Sequence, residues 1–274
     1  MQNFKGYEVV EEYPEDGWLK GYFYAREGDS TSREKVLGKA YRDFAYIKHK
    51  DFALHLLDIK NGEKVLDVGC ANGAMMVYCG LLGAEVFGVD LSAASIESAN
   101  KYLSRFGLKG KASVGDIRKM DFPDNFFDKV ISSDFFEHLS RPDNVQALTE
   151  IKRALKPGGK LILRTPNLQY LRCARIFKQL VRLVTFRNPF IVVIPHAKGE
   201  GHQHIGLVSR SQMVDIIRSA GFMNVRFYHP LNSKIEKVSY ALGEFLSGSP
   251  LFRDLVTEDI VALVYKPIIT SYFG

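Results

Sequence analysis

The stretch Lys64-Val65-Leu66-Asp67-Val68-Gly69-Cys70-Ala71-Asn72-Gly73 constrains the fold more than any other part of the 274-residue chain. Val65, Leu66 and Val68 are apolar and mostly β-branched, as a strand buried on both faces requires, and a small-residue turn then leads into a helix beginning near Ala74. Gly69, Ala71 and Gly73 leave room for a ligand against bare backbone, beside helix N–H groups that have no partner of their own. Alanine at 71 permits close approach but not a positive φ. The element reads as a ligand cradle at the tip of a buried strand.

The charge of the cradle selects among ligands. A dinucleotide fingerprint is G-x-G-x-x-G with the pyrophosphate on the helix N-terminus. Here the spacing is G-x-A-x-G, and Asp67 stands just before the first glycine, where a carboxylate repels phosphate. A ligand with a cationic amino group and a sulfonium, but no phosphate, fits better, which describes S-adenosylmethionine (SAM). Asp67-x-Gly69-x-Ala71-x-Gly73 resembles motif I of the class I SAM-dependent methyltransferases, with alanine where many members have a second glycine.

The chain beyond the cradle continues the resemblance in order. Glu85 to Asp90 is a second buried strand ending in an acid, and Lys111 to Gly115 a third, followed by Asp116-Ile117. A polar turn from Asp121 enters a fourth strand reaching Asp134; a helix from Arg141 to Leu155, a Lys156-Pro157-Gly158-Gly159 turn and a fifth strand, Lys160 to Thr165, follow. After a long insertion come a helix over Gln212 to Ala220, a strand over Asn224 to Tyr228, a helix over Ser233 to Leu246 and a last strand over Asp259 to Tyr265. The resemblance implies a Rossmann-like α/β fold: a seven-stranded, mostly parallel sheet with helices on both faces, occupying residues 61–274. It further implies that Asp67, Gly69, Ala71 and Gly73 hold the methionine end of SAM, Asp90 the ribose hydroxyls, and Asp116 with Ile117 the adenine, while Cys70, Leu91 and Ser133 line the same pocket.

Acceptor chemistry is expected past the fourth strand. Methyl transfer from a sulfonium is an in-line displacement that rests on alignment, and a hydroxyl or amine acceptor also needs somewhere to put its proton. If Ser132 to Leu139 is helical, Asp134, Glu137 and His138 stand at i, i+3 and i+4 and share one face. Three uses of that face are open: His138 as a base oriented by Glu137 or Asp134, a divalent cation held by all three, or a structural brace. Two carboxylates and one imidazole make an incomplete shell, so no metal is expected. The Glu-His pair resembles that of the quinone-biosynthesis O-methyltransferases, which implies transfer to oxygen, and His202 or His204 could serve as the base instead.

The insertion, about 166–208, is too long for a bare loop and is expected to form a helical cap. Arg172, Arg175, Lys178 and Arg182 recur at helical spacing opposite Ile176, Phe177, Leu180, Val181 and Val184, with Phe190 to Ile194 beyond Pro189. Residues 171–194 therefore read either as a substrate lid or as a cap that rests on anionic lipid. Residues 1–60, with Trp18, Tyr22 and Tyr24 and a helical period from Ser32 to Leu57, are expected to cover the site. A net charge of +6 does not demand nucleic acid, and no nucleic-acid motif is present. Cys70, Cys79 and Cys173 form no disulfide or zinc pattern, and no secretory h-region precedes them, so a cytoplasmic location is expected. A small-molecule or lipid-like acceptor is the expected partner; the alternatives are a SAM-binding or peripheral membrane-associated protein that lacks turnover, or an N- or C-methyltransferase of a small metabolite.

Overall fold

The structure, a computed structural model, describes residues 53–191, 204–230, 235 and 238–268. The aromatic N-terminal segment, His202 and most of the helical period before Leu57 lie outside these residues; its end is helical over 53–57. The elements are β1 Lys64–Val68, α1 Ala74–Leu81, β2 Glu85–Asp90, α2 Ala93–Arg105, β3 Gly110–Val114, β4 Phe127–Ser133, a 3-10 turn Phe136–His138, α3 Arg141–Ala154, β5 Leu155–Pro166, α4 Leu168–Val184, α5 Arg210–Ser219, β6 Asn224–Tyr228, α6 Tyr240–Gly248, α7 Arg253–Val256 and β7 Asp259–Tyr265. The expected strands and their order are present. The helix expected over Ser233 to Leu246 is interrupted: residues 235 and 238 are helical, Ser239 is extended (φ −159°), and a new helix starts at Tyr240, capped by the Ser239 side chain accepting from Leu242 N–H.

The seven strands lie in the order β3-β2-β1-β4-β5-β7-β6. Neighbours from β3 to β5 run parallel, and β7 is antiparallel to both β5 and β6. Alternation along each central strand divides its side chains between two cores. Leu66, Val68, Val130, Leu161 and Leu163 pack with Leu148 and Ile151 of α3 and Ile216 and Ile217 of α5. Val65, Ile131 and Ile162 pack on the other face with Met76 and Cys79 of α1, Ile96 and Leu103 of α2, and Leu57. Side-chain oxygens set the helix starts: Ser92 accepts from Ser95 N–H, and Ser209 forms a reciprocal capping box with Gln212.

One buried cation fastens the chain that precedes the sheet. Lys129 of β4 donates from Nζ to the carbonyls of Leu57 (2.8 Å) and Asp58 (2.9 Å) and pairs with Glu63 at 3.1 Å. These carbonyls end the 53–57 helix, where a positive charge is favourable. Lys129→Met is expected to lower the unfolding free energy by about 1–3 kcal/mol, because it removes a donor from the Asp58 carbonyl and the ion pair to Glu63, while the Leu57 carbonyl keeps Lys160 Nζ at 3.4 Å. In urea titration the midpoint should fall with the slope unchanged; an unmoved midpoint would deny Lys129 this role.

Candidate active site

The carboxyl ends of β1, β2, β4 and β5 meet at one edge of the sheet. There the chain turns to opposite sides after β1 and after β4, the place where open α/β sheets leave a ligand crevice. The turn after β1 carries three left-handed residues in alternation, Gly69 (φ 70°), Ala71 (φ 44°) and Gly73 (φ 81°). Ala71 thus adopts the conformation the sequence reading ruled out. Its N–H donates to Asp90 Oδ2 at 2.9 Å, and that charge-assisted bond holds the strained turn.

The glycines also permit close packing. A Cβ on Gly69 would lie 2.1 Å from Cδ2 of Phe135, and one on Gly73 would lie 2.7 Å from Cβ of Ala99 in α2. Their missing side chains admit an aromatic ring and a helix, so close packing fills part of the space assigned to a ligand. Cys70 is buried beside them, and burial, then the charges of Asp67 and Asp90, push its thiol well above the usual range. A thiol held protonated in this way packs as a small apolar side chain.

The strand-tip acids stand where the sequence placed them. Asp67 is buried. Asp90 accepts from Ala71 N–H at one oxygen and from Ser92 N–H at the other, each at 2.9 Å. Burial raises its carboxyl pKa against the pull of these bonds. A carboxylate offers about four acceptor positions, so hydroxyl donors can be added to both oxygens. Leu91 follows, half-buried. Asp116 is clamped by Arg118, which reaches it at 2.6 Å and Asp143 at 2.6 Å, while the adjacent Ile117 is buried.

Past β4 the structure departs from the single helical face. Asp134 is left-handed (φ 57°), and only Phe136–His138 form a turn, of the 3-10 type. Asp134 Oδ2 is bound at 2.6 Å by Nη1 of the buried Arg164, whose Nη2 holds Asp259 at 2.8 Å and whose Nη1 also reaches Ser133 Oγ at 3.3 Å. Asp134 therefore belongs to a brace across β4, β5 and β7. Glu137 turns inward instead, accepting from Thr165 Oγ1 at 3.0 Å. Burial, then the charge of Asp134, raises its pKa to about 8.

The insertion supplies the group that Asp134 does not. Asn167 and Val208 form an isolated parallel bridge, so the insertion leaves and returns at one point. Just before that return, Gly206 N–H donates to the carbonyl of Glu137 at 2.8 Å, and a Cβ there would lie 2.1 Å from the carbonyl oxygen of Leu139. This contact lays His204, which is buried, against His138, with ring centroids 4.7 Å apart and planes at 89°. Glu137, His138 and His204 then offer one ligand atom each within 4.8 Å of one another, while His138 stays half-exposed. Such a cluster can take a proton from an acceptor or hold a cation. Gly206, Arg164 and Thr165 were not singled out from the sequence; the Gly-x-x-x-x-Gly frame around His202 and His204 was the signal for the first.

The methyltransferase domain family matches residues 66–163, which run from β1 to β5. Over these residues the chain carries a methyltransferase domain, in the class I SAM-dependent methyltransferase fold. It is 33% identical over 156 residues to sterol 24-C-methyltransferase ERG6B of Gibberella zeae, covering 56% of this chain and 38% of that one. It is 31% identical over 249 residues to phosphoethanolamine N-methyltransferase 3 of Arabidopsis thaliana, covering 88% and 46%. The chain thus spans less than half the length of these curated relatives. Phosphoethanolamine N-methyltransferase 2 of Haemonchus contortus, solved with S-adenosyl-L-methionine, superposes with a TM-score of 0.58 at 20% identity over 88% of this chain and 61% of that one, a likeness of fold.

Gly206→Val is expected to part His204 from His138 while sparing the strand-tip acids. Calorimetric SAM affinity should then stay within about twofold and methyl transfer should fall at least about 100-fold. Equal losses in both would place the insertion's return in the cofactor pocket instead.

Proposed function

We propose that this chain transfers a methyl group from SAM to an oxygen of a small or lipid-like acceptor. The donor set suits the cofactor: three carboxylates, Asp67, Asp90 and Asp116, follow successive strands, and the turn from Asp67 to Gly73 carries no lysine or arginine to favour a phosphate. Asp67 and the turn would hold the methionine end, Asp90 the ribose, and Asp116 with Ile117 the adenine. SAM supplies an activated methyl group on a sulfonium. The protein's share is to align the acceptor, exclude water and remove the acceptor's proton.

The observation that carries the reading is the Glu137-His138-His204 cluster at the carboxyl edge of the sheet. A half-exposed imidazole backed by a buried carboxylate and a second imidazole is a proton acceptor of the kind an alcohol or phenol needs. The relatives are named for sterol carbon and phosphoethanolamine nitrogen, which supports an acceptor of lipid-like or small-molecule class. Asp90→Ala is expected to cut SAM affinity at least about tenfold with the fold intact by circular dichroism, at a lower melting temperature because the bond that holds Ala71 left-handed is lost. Unchanged calorimetric binding would remove Asp90 from the site. With labelled SAM and lipid or polar extracts, the wild-type protein should move label into a product whose new methyl sits on oxygen. Label on nitrogen or carbon would correct the atom, and no label in any product would favour a SAM-binding protein without turnover.

The surface beside this edge bears on how the acceptor arrives. α4 starts from Asn167, whose side chain caps it through Gln169 N–H and donates to the carbonyls of Asp254 and Thr257, fixing the helix against α7. No residue of α4 is buried. Phe177, Leu180, Leu183 and Val184 are exposed, as are Phe186 and Ile191 beyond it, and Leu251, Phe252 and Leu255 at α7 extend the apolar surface. Between 168 and 191 there are five cationic residues, Arg172, Arg175, Lys178, Arg182 and Arg187, and no acid. Among the described residues no helix is long and apolar enough to cross a membrane. An anionic lipid surface matches both the charge and the apolar side chains. The chain should sediment with vesicles containing phosphatidylglycerol and release at high salt, and Arg175→Glu with Lys178→Glu should abolish sedimentation. Equal binding by that variant would make α4 a substrate lid.

A further inference from the structure

We propose that Glu137, His138 and His204 bind one divalent cation of the manganese-to-zinc series. The binding itself stands on geometry; its use, to hold the acceptor hydroxyl, rests on the function proposed above. The three side chains come from two separated parts of the chain, the 3-10 turn after β4 and the end of the insertion, and meet at ligand-atom separations within 4.8 Å. A cation with bonds of about 2.0–2.2 Å would draw the three atoms to roughly 3.0–3.4 Å of one another, a small movement for imidazole rings turning about χ1 and χ2. Two imidazoles and one carboxylate favour a transition metal over magnesium or calcium, which prefer all-oxygen shells. Three protein ligands leave positions open, as sites that must also hold a substrate require.

The surroundings behave as the outer shell of such a site. Thr165 Oγ1 donates to Glu137 Oε2 and fixes the carboxylate's orientation. The turn that carries Glu137 and His138 is pinned by Asn144 Nδ2, which donates to the carbonyl of Phe136 at 3.1 Å, and by Gly206 N–H on the carbonyl of Glu137. Arg164 binds Asp134 and Asp259, and its positive charge also favours the charged form of Glu137. Glu137 and His204 are buried and His138 is half-exposed, so the cluster is closed at the back and open at one side. With His138 held as a ligand, the cation would replace it as the group that activates the acceptor: a bound hydroxyl would be acidified and lose its proton to solvent, and its oxygen would then form a bond to the methyl carbon as the S–CH3 bond breaks, giving the ether and S-adenosylhomocysteine.

The test uses untagged, metal-stripped protein titrated with cobalt(II), read by its visible ligand-field bands and by metal content after gel filtration. One cobalt per chain is expected, and His204→Gln and Glu137→Gln should each weaken it at least about tenfold. Both variants should keep their melting temperature and calorimetric SAM affinity. His55→Gln, at an exposed histidine, should bind cobalt as the wild type does. Absence of stoichiometric uptake, or uptake undiminished in the His138→Gln, His204→Gln double variant, overturns the proposal. Cobalt uptake by a protein that transfers no methyl group would keep this site and overturn the transferase reading; full transfer by chelated protein that takes up no cobalt would do the reverse.

Discussion

Parallel pairing of β1 with both β2 and β4 is the constraint on which the rest depends. Register runs Asp67 against Gly88 on one side and against Ile131 on the other, so the tips of all three strands reach the same edge. A parallel sheet buries its faces under helices and leaves its carboxyl edge as the place where polar side chains can stand without covering the core. Asp67, Asp90 and Ser133 occupy that edge for this reason. β7, running antiparallel, begins where its neighbours end, and so delivers Asp259 to Arg164 at the same level.

Arg164 shows how such an edge is stabilised and what that does to the chemistry. A buried guanidinium is tolerated only with its charge matched and its hydrogen bonds filled, and here Asp134, Asp259 and Ser133 do both. Taking Asp134 for this purpose bends the chain through a left-handed residue directly after β4. The following turn is thereby rotated so that Glu137 faces Thr165 and His138 faces the returning insertion. A structural ion pair thus decides which acid is left to join His138 and His204.

Much of the fold was legible in the sequence, because buried parallel strands announce themselves as short apolar runs ending in turn residues; β1, β2, β6 and β7 fall on the residues expected. The carboxylates at strand tips were legible for the same reason. What could not be read was any property set by contacts distant in sequence. Helical spacing put Asp134 with His138, but the Arg164 pair, 30 residues away, overrides it. Ala71 was excluded from the left-handed region on intrinsic cost, of about 1–2 kcal/mol, yet a bond to Asp90 from the next strand offsets that cost. Nor could spacing show that Gly69 and Gly73 also admit the close approach of Phe135 and α2.

The insertion joins two features that otherwise look unrelated. Its first part is the exposed apolar and cationic helix α4, and its last part carries His204 and Gly206 onto the Phe136–His138 turn. Both ends are tied at the Asn167 and Val208 bridge, and Asn167 also clasps the α7 region. A force on α4, whether from a lipid surface or an acceptor beneath it, is therefore applied to a segment whose other end positions an imidazole. If α4 shifts when its apolar side is covered, the shortest path for strain leads through residue 208 to the Gly206 hydrogen bond and changes the spacing of the two histidines. Acceptor capture and proton removal would then be coupled through one segment of chain rather than arranged by separate parts of the fold.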